Sequence, residues 1–119
     1  MRYICLVHFE PSILDNMPAP ERQDFDRRSM AYDRELEAKG NYVIAQAIQG
    51  GDSAVLVRQR EGRMSTTDGP YMETKEQMAG FILIEARDMN EAVRLAGGIP
   101  LAEIGTIEVR PIYEIPTPP

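Results

Sequence analysis

The chain has 119 residues, a net charge of −6 and a hydrophobic fraction of 43%. This suits one domain with a core that needs no metal or disulfide staple, and the lone thiol, Cys5, excludes an internal disulfide. The acidic balance argues against nucleic-acid binding. The short apolar N-terminus and the lack of any run of about 20 apolar residues argue against a signal peptide or a membrane span, so the cytoplasm is the expected location.

Tyr3 to Phe9 reads as a strand, rich in Ile, Leu, Val and aromatics and ended by Glu10-Pro11. Prolines 11, 18 and 20 with Asn16 predict a loop over 11–20. A helix is expected from about Pro20 to Lys39, with Glu21 and Asp24 favouring its positive end. Phe25, Ser29, Tyr32 and Leu36 recur at helical spacing as its buried stripe, and Gly40-Asn41 stops it. Tyr42 to Gln49 is a second strand. Ala54 to Arg58 and Met64 to Thr67, joined by Arg60-Glu61-Gly62-Arg63, form an inserted hairpin.

Next come the turn signal Asp68-Gly69-Pro70 and the polar run Glu73-Thr74-Lys75-Glu76-Gln77. Gly80 then leads into the strand Phe81 to Ala86. Asp88 with Glu91 predicts a capping box on a second helix whose apolar face is Ala92, Val93, Leu95 and Ala96. Thr106 to Ile112 is the last strand. Residues 1–115 are expected to form a single domain and 116–119 a loose tail.

With the hairpin set aside, the order is βαββαβ, the ferredoxin-like plait of the α+β class. Both central strands, 3–9 and 81–86, are apolar on both faces, so the sheet face opposite the helices needs a cover. A second copy of the chain supplies one, giving a homodimer with a barrel-like interior. The hairpin and tail covering that face within a monomer is the alternative.

Several side chains are candidates for chemistry. His8 is the only histidine and can act as acid or base, or merely hydrogen-bond. Asp68 can shape an Asx-turn or serve as a catalytic carboxylate. Glu73 and Lys75, two apart, share one side of an extended segment and can polarise a ligand, hold an anion or form a surface ion pair. Tyr71, Thr74 and Tyr32 can offer hydroxyls to a ligand, and Tyr32 and Tyr71 can equally be packing residues. Arg110 shares a strand face with Thr106 and Glu108, facing a cleft or a subunit interface. No metal-ligand spacing and no nucleotide or acyl-transfer motif is present. Cys5, among apolar neighbours, reads as an inert core residue.

The run Thr67-Asp68-Gly69-Pro70-Tyr71-x-Glu73-Thr74-Lys75-Glu76-Gln77, followed by Gly80-Phe81, resembles the signature of the YCII-related, DGPF-type proteins. The opening Met1-Arg2-Tyr3, the Ile99-Pro100 pair and Gly105 to Ile112 fit the same pattern. Tyr71 stands where the family name has phenylalanine, and Ala79 where a second glycine is common. The resemblance implies a bacterial, cytoplasmic protein with a dimeric α+β barrel. It also implies a link in some relatives to extracytoplasmic-function sigma factors, which hints at regulation. It implies no settled reaction. Some relatives carry a His–Asp pair, but His8 does not stand in that motif. Three readings follow. The first is a homodimer binding a small, weakly polar or anionic organic ligand in a cleft between sheet and helices, beside the Asp68–Lys75 loop and His8. The second is a cofactor-independent enzyme, with Asp68 or Glu73 as base and Lys75 as electrostatic stabiliser. The third is a structural or regulatory dimer.

Overall fold

A computed structural model describes all residues 1–119. Strand β1 (Arg2–Phe9) is followed by a short helix α1 (Pro11–Asp15) and a long helix α2 (Ala19–Ala38). Strand β2 (Tyr42–Ala47), the hairpin β3 (Val55–Arg60) and β4 (Arg63–Asp68), β5 (Gln77–Glu85), α3 (Met89–Ala96) and β6 (Gly105–Pro111) complete the chain. The main sheet has the order β2-β5-β1-β6, every neighbour antiparallel, and β3-β4 form a separate two-stranded sheet. This is the ferredoxin-like α+β plait with an inserted hairpin.

Two expectations need correction. The predicted loop over 11–20 contains helix α1, because Pro11 occupies a first-turn position where its missing N–H costs nothing. The third principal strand begins at Gln77, not Phe81. Pairing with β1 and β2 overrides the polar character of its first residues, as sheet contacts commonly do.

Alternation along β1 sorts its side chains. Tyr3, Cys5 and Val7 are buried with Ile82 and Ile84 of β5 against Leu36 of α2 and Ala92, Leu95 and Ala96 of α3. Ala92, Leu95, Ala96 and the following Ile99 fall at helical spacing and are buried, whereas Val93, expected on the same apolar face, points away and is exposed, because it lies about 100° round the helix from Ala92. The predicted cap of α3 forms: Glu91 N–H donates to Asp88 Oδ1 at 2.9 Å, and the Glu91 carboxylate accepts from Arg87 N–H at 3.1 Å. Helix α2 is tied to its surroundings by the Tyr32 hydroxyl, which donates to the Leu95 carbonyl at 2.6 Å, and by an Arg28–Glu103 ion pair. Leu36 is the only fully buried residue of α2, so the rest of the helix leaves room above the sheet.

The second face of the sheet is open. Ile4 lies opposite Leu83, and Leu6 opposite Phe81, with Ile44 of β2 beside Leu83. Thr106, Glu108 and Arg110 of β6 continue the same face across from His8, Leu6 and Ile4. Neither the hairpin nor the tail covers it. All of β4 and most of β3 are exposed, and so are Tyr113 and Ile115. The projecting hairpin raises the radius of gyration to 16.6 Å, where a compact chain of this length needs about 13.5 Å. Its two-residue tip, Glu61-Gly62, has positive φ at both positions (53° and 73°), the primed turn that matches strand twist.

Candidate ligand-binding site

The motif stretch joins the hairpin to the main sheet. Asp68 closes β4 opposite Val55, and the Gly69 N–H donates to the Ala54 carbonyl at 2.8 Å. The Asp68 side chain is exposed and makes no hydrogen bond, so the turn is closed by backbone and not by an Asx-turn, one of the two roles open to Asp68. Gly69 is required here, since a Cβ would sit 2.8 Å from the Ala54 Cβ. The Gly69–Pro70 peptide is cis. Pro70 packs on Gly51, where a Cβ would meet the proline ring at 2.9 Å and Gln77 Oε1 at 3.0 Å. These close approaches clamp three segments together at the N-terminal end of β5.

The clamp forms one wall of a cleft of about 770 Å³. Gly69, Pro70 and Glu73 line it from the motif, and Gln77, Met78 and Ala79 from the start of β5. Phe9, Pro11 and Leu14 supply an apolar wall from the end of β1 and from α1, with Ile48 opposite. Arg22 of α2 is the one cationic residue, among the carboxylates of Asp15, Asp52 and Glu73. Arg22 takes part in no ion pair. A second cavity, of about 170 Å³, lies further along α2 and is bordered by Ser29, Tyr32 and Asp33. Ala79 lines both.

The sequence candidates do not converge. Glu73 lines the larger cleft, while Asp68, Lys75, Tyr71 and Thr74 do not. Glu73 and Lys75 are both exposed and form no ion pair with each other. Tyr71 is 79% exposed, and the Thr74 hydroxyl bonds the Glu76 carbonyl. Tyr32 borders the smaller cavity, with its hydroxyl on Leu95; burial and nearby Glu35 raise its pKa. His8 lies on the open face, where Nε2 is 3.1 Å from Glu108 Oε1. Arg110 is exposed on that face, unpaired.

Four contributors were not singled out from the sequence. Arg22 and Asp52 line the large cleft. Glu76 accepts the Thr106 hydroxyl at 2.7 Å and so ties the motif run to β6. Asp33 borders the small cavity, and burial pushes its carboxyl above the usual range. One signal was available for Asp33: it stands four residues after Ser29 and beside Tyr32, on the edge of the α2 stripe. Cys5 is buried in the core, with its thiol pushed up to about 11 by burial, and does not line either cavity.

With this geometry in view, the YCII-related domain matches residues 1–116. The chain belongs to the YCII-related family. An uncharacterized protein of Rhizobium meliloti (strain 1021) is 29% identical over 114 residues, spanning 94% of this chain and 92% of that relative. Among solved structures, 5-chloro-2-hydroxyhydroquinone dehydrochlorinase (TftG) from Burkholderia phenoliruptrix AC1100, in complex with 2,5-dihydroxybenzoquinone, is similar. Its TM-score is 0.58 at 16% identity, covering 95% of this chain and 94% of that one. At that identity the likeness establishes a shared fold, and it agrees with the plait described above. No helix of this YCII-related chain is long and apolar enough to cross a membrane.

Proposed function

We propose that this protein is a homodimer that binds a small organic molecule in the cleft beside the Gly69-Pro70-Glu73 turn. The observation that carries the reading is the cleft itself: about 770 Å³, with the family's motif on its rim. Its Phe9, Leu14 and Ile48 surface suits a hydrophobic body, and Arg22, Glu73 and Gln77 provide the few polar groups that fix orientation. Arg22, free of ion pairs, can donate to a hydroxyl or carbonyl edge of the ligand, while Asp15, Asp52 and Glu73 make the lining net negative and favour a ligand without a full negative charge. The dihydroxybenzoquinone bound to TftG supports a ligand of that size class.

The dimer reading rests on the open sheet face. Ile4, Leu6, Ile44, Phe81 and Leu83 make a contiguous apolar patch that nothing in the chain covers, and such a patch favours burial against a partner. A two-fold pairing of this face with itself is the economical solution. Leu83→Asp places a charge at its centre in both copies, and should weaken association by about 100-fold or more. Light scattering is expected to give twice the 13.4 kDa chain mass for the unmodified protein. A monomer at about 10 µM overturns the dimer, since a stable interface of standard size associates well below that concentration.

Ligand binding is tested by a thermal-shift screen of small metabolites, followed by Arg22→Ala and Glu73→Ala. Hits should weaken about tenfold or more in at least one variant, the loss of one charge-assisted hydrogen bond. Hits indifferent to both variants refute the cleft. A second reading, an enzyme working in the same cleft without a cofactor, draws support from the dehydrochlorinase activity of TftG. Glu73 is then the base within reach, since Asp68 and Lys75 do not line the cleft. Turnover of any screened binder, lost in Glu73→Gln, is its signature; binders without chemistry refute it.

A further inference from the structure

The smaller cavity carries a separate inference. It holds about 170 Å³ between the middle of α2 and the β2–β5 pair. Ala45, Ala47, Ala79 and Gly80 are small, which is why space remains under the helix. Leu101 and Ile99 close it with apolar surface. The polar residues of the lining are Ser29, Tyr32 and Asp33 of α2 and Gln46 of β2. The Tyr32 hydroxyl already donates to the Leu95 carbonyl.

Asp33 differs from its neighbours. It is half-buried, and no hydrogen bond or ion pair in the structure reaches its carboxylate. Burial disfavours its charged form. The cavity lining contains no lysine, arginine or histidine. An anionic guest would therefore meet an unpaired carboxylate with no compensating cation. A neutral hydroxyl would offer it one hydrogen bond. An ammonium would offer both a hydrogen bond and the missing positive charge, the stronger class of interaction.

We propose that this cavity binds a compact, ring-sized organic amine, its apolar body against the alanine-rich wall and its ammonium on Asp33. Size sets the body: an apolar cavity of about 150 Å³ accommodates a benzene ring. The site is distinct from the motif cleft and does not depend on it. The two share Ala79, but Arg22 and Glu73 belong to one and Asp33 to the other.

Calorimetric titration with benzylamine, benzyl alcohol, toluene and benzoate tests the proposal. Benzylamine should bind about tenfold tighter than benzyl alcohol or toluene, and benzoate weakest of the four, as expected for one added charge-assisted contact. Asp33→Asn keeps the shape and removes the charge, so amine and alcohol should then bind within about threefold of each other. Ala45→Leu, at a residue that lines only this cavity, fills it and should abolish benzylamine binding, which keeps the test open if Asp33→Asn fails to fold. Glu73→Gln should leave benzylamine binding unchanged, so a failure of the motif-cleft reading stays distinguishable from a failure here. Four results overturn the proposal: no binding of benzylamine at about 10 mM, weaker than any specific site of this kind; benzoate binding as tightly as benzylamine; an amine preference that survives Asp33→Asn; or loss of amine binding in Glu73→Gln with full retention in both Asp33→Asn and Ala45→Leu.

Discussion

Gly80 sits at the junction of motif and strand, and Gly80→Ala exposes what it does. The residue is buried on the helix side of β5, opposite Val7 of β1 and Ala47 of β2. A methyl there would lie 2.6 Å from the Gln46 carbonyl oxygen and 3.1 Å from the Ala47 Cα. Both obstacles are backbone, so no side chain can swing aside. Strand β2 would have to retreat by about 0.6–0.8 Å to restore an ordinary carbon–oxygen separation, given that dispersion contacts are optimal only near 3.5 Å. That retreat strains the neighbouring hydrogen bond from Ile48 N–H to the Ala79 carbonyl, now 2.8 Å. Overpacking of this kind costs about 1–3 kcal/mol, and a weakened hydrogen bond adds about 0.5–1.5 kcal/mol. Against this, replacing glycine by alanine stiffens the unfolded chain and returns about 0.4–1 kcal/mol. At the middle of these ranges the clash wins, leaving a net loss of about 2 kcal/mol. For a chain of this length each kcal/mol corresponds to about 4 °C, so Tm should fall by about 8 °C. Differential scanning calorimetry reads this directly. A Tm within about 2 °C of the unmodified protein would refute the close approach of β2 to Gly80, because only the unfolded-state gain would then remain.

Asp88→Ala removes the acceptor of the Glu91 N–H and should cost about 1 kcal/mol in urea unfolding, the usual worth of an N-cap. Tyr32→Phe deletes the hydroxyl that holds α2 to the Leu95 carbonyl; a loss of about 1 kcal/mol is expected, and an unchanged midpoint would argue against that tie. The Cys5 thiol, buried and pushed up to about 11 from an ordinary 9.0, should resist alkylation at pH 8 until the chain unfolds. The same shift has a stability consequence. Because the folded value lies above the unfolded one, its contribution is complete below pH 9 and is lost as pH rises toward 11. Two pKa units correspond to about 3 kcal/mol, so urea midpoints should fall from pH 8.5 to about 10.5 and fall less steeply in Cys5→Ala.

Much of the architecture was legible in the residues. The α2 stripe Phe25-Ser29-Tyr32-Leu36, the Asp88–Glu91 cap and the two-sided apolar strands each announce themselves over a few positions. Helix α1 was missed because three nearby prolines look like loop chemistry, although Pro11 simply opens a helical turn. The early start of β5 was missed because Gln77 and Met78 lack strand character and are recruited by Phe9 and His8 across the ladder. The site was less legible still. Asp68, Glu73 and Lys75 are neighbours along the chain, yet only Glu73 reaches a cavity, and His8 pairs with Glu108, one hundred residues away, on the opposite face of the sheet.

The sequence by itself determined the family, the βαββαβ order and the apolar character of both sheet faces. Those properties are carried by short-range periodicity and by a motif that is contiguous in the chain. Only the tertiary structure decided where cavities lie and which side chains border them. A cavity is defined by what fails to fill space between distant elements: the small residues Ala45, Ala47, Ala79 and Gly80 leave a gap under α2, and the partnerless carboxylate of Asp33 is set at its edge. Neither the gap nor the missing partner has any local signature, because each is a relation among residues that folding brings together.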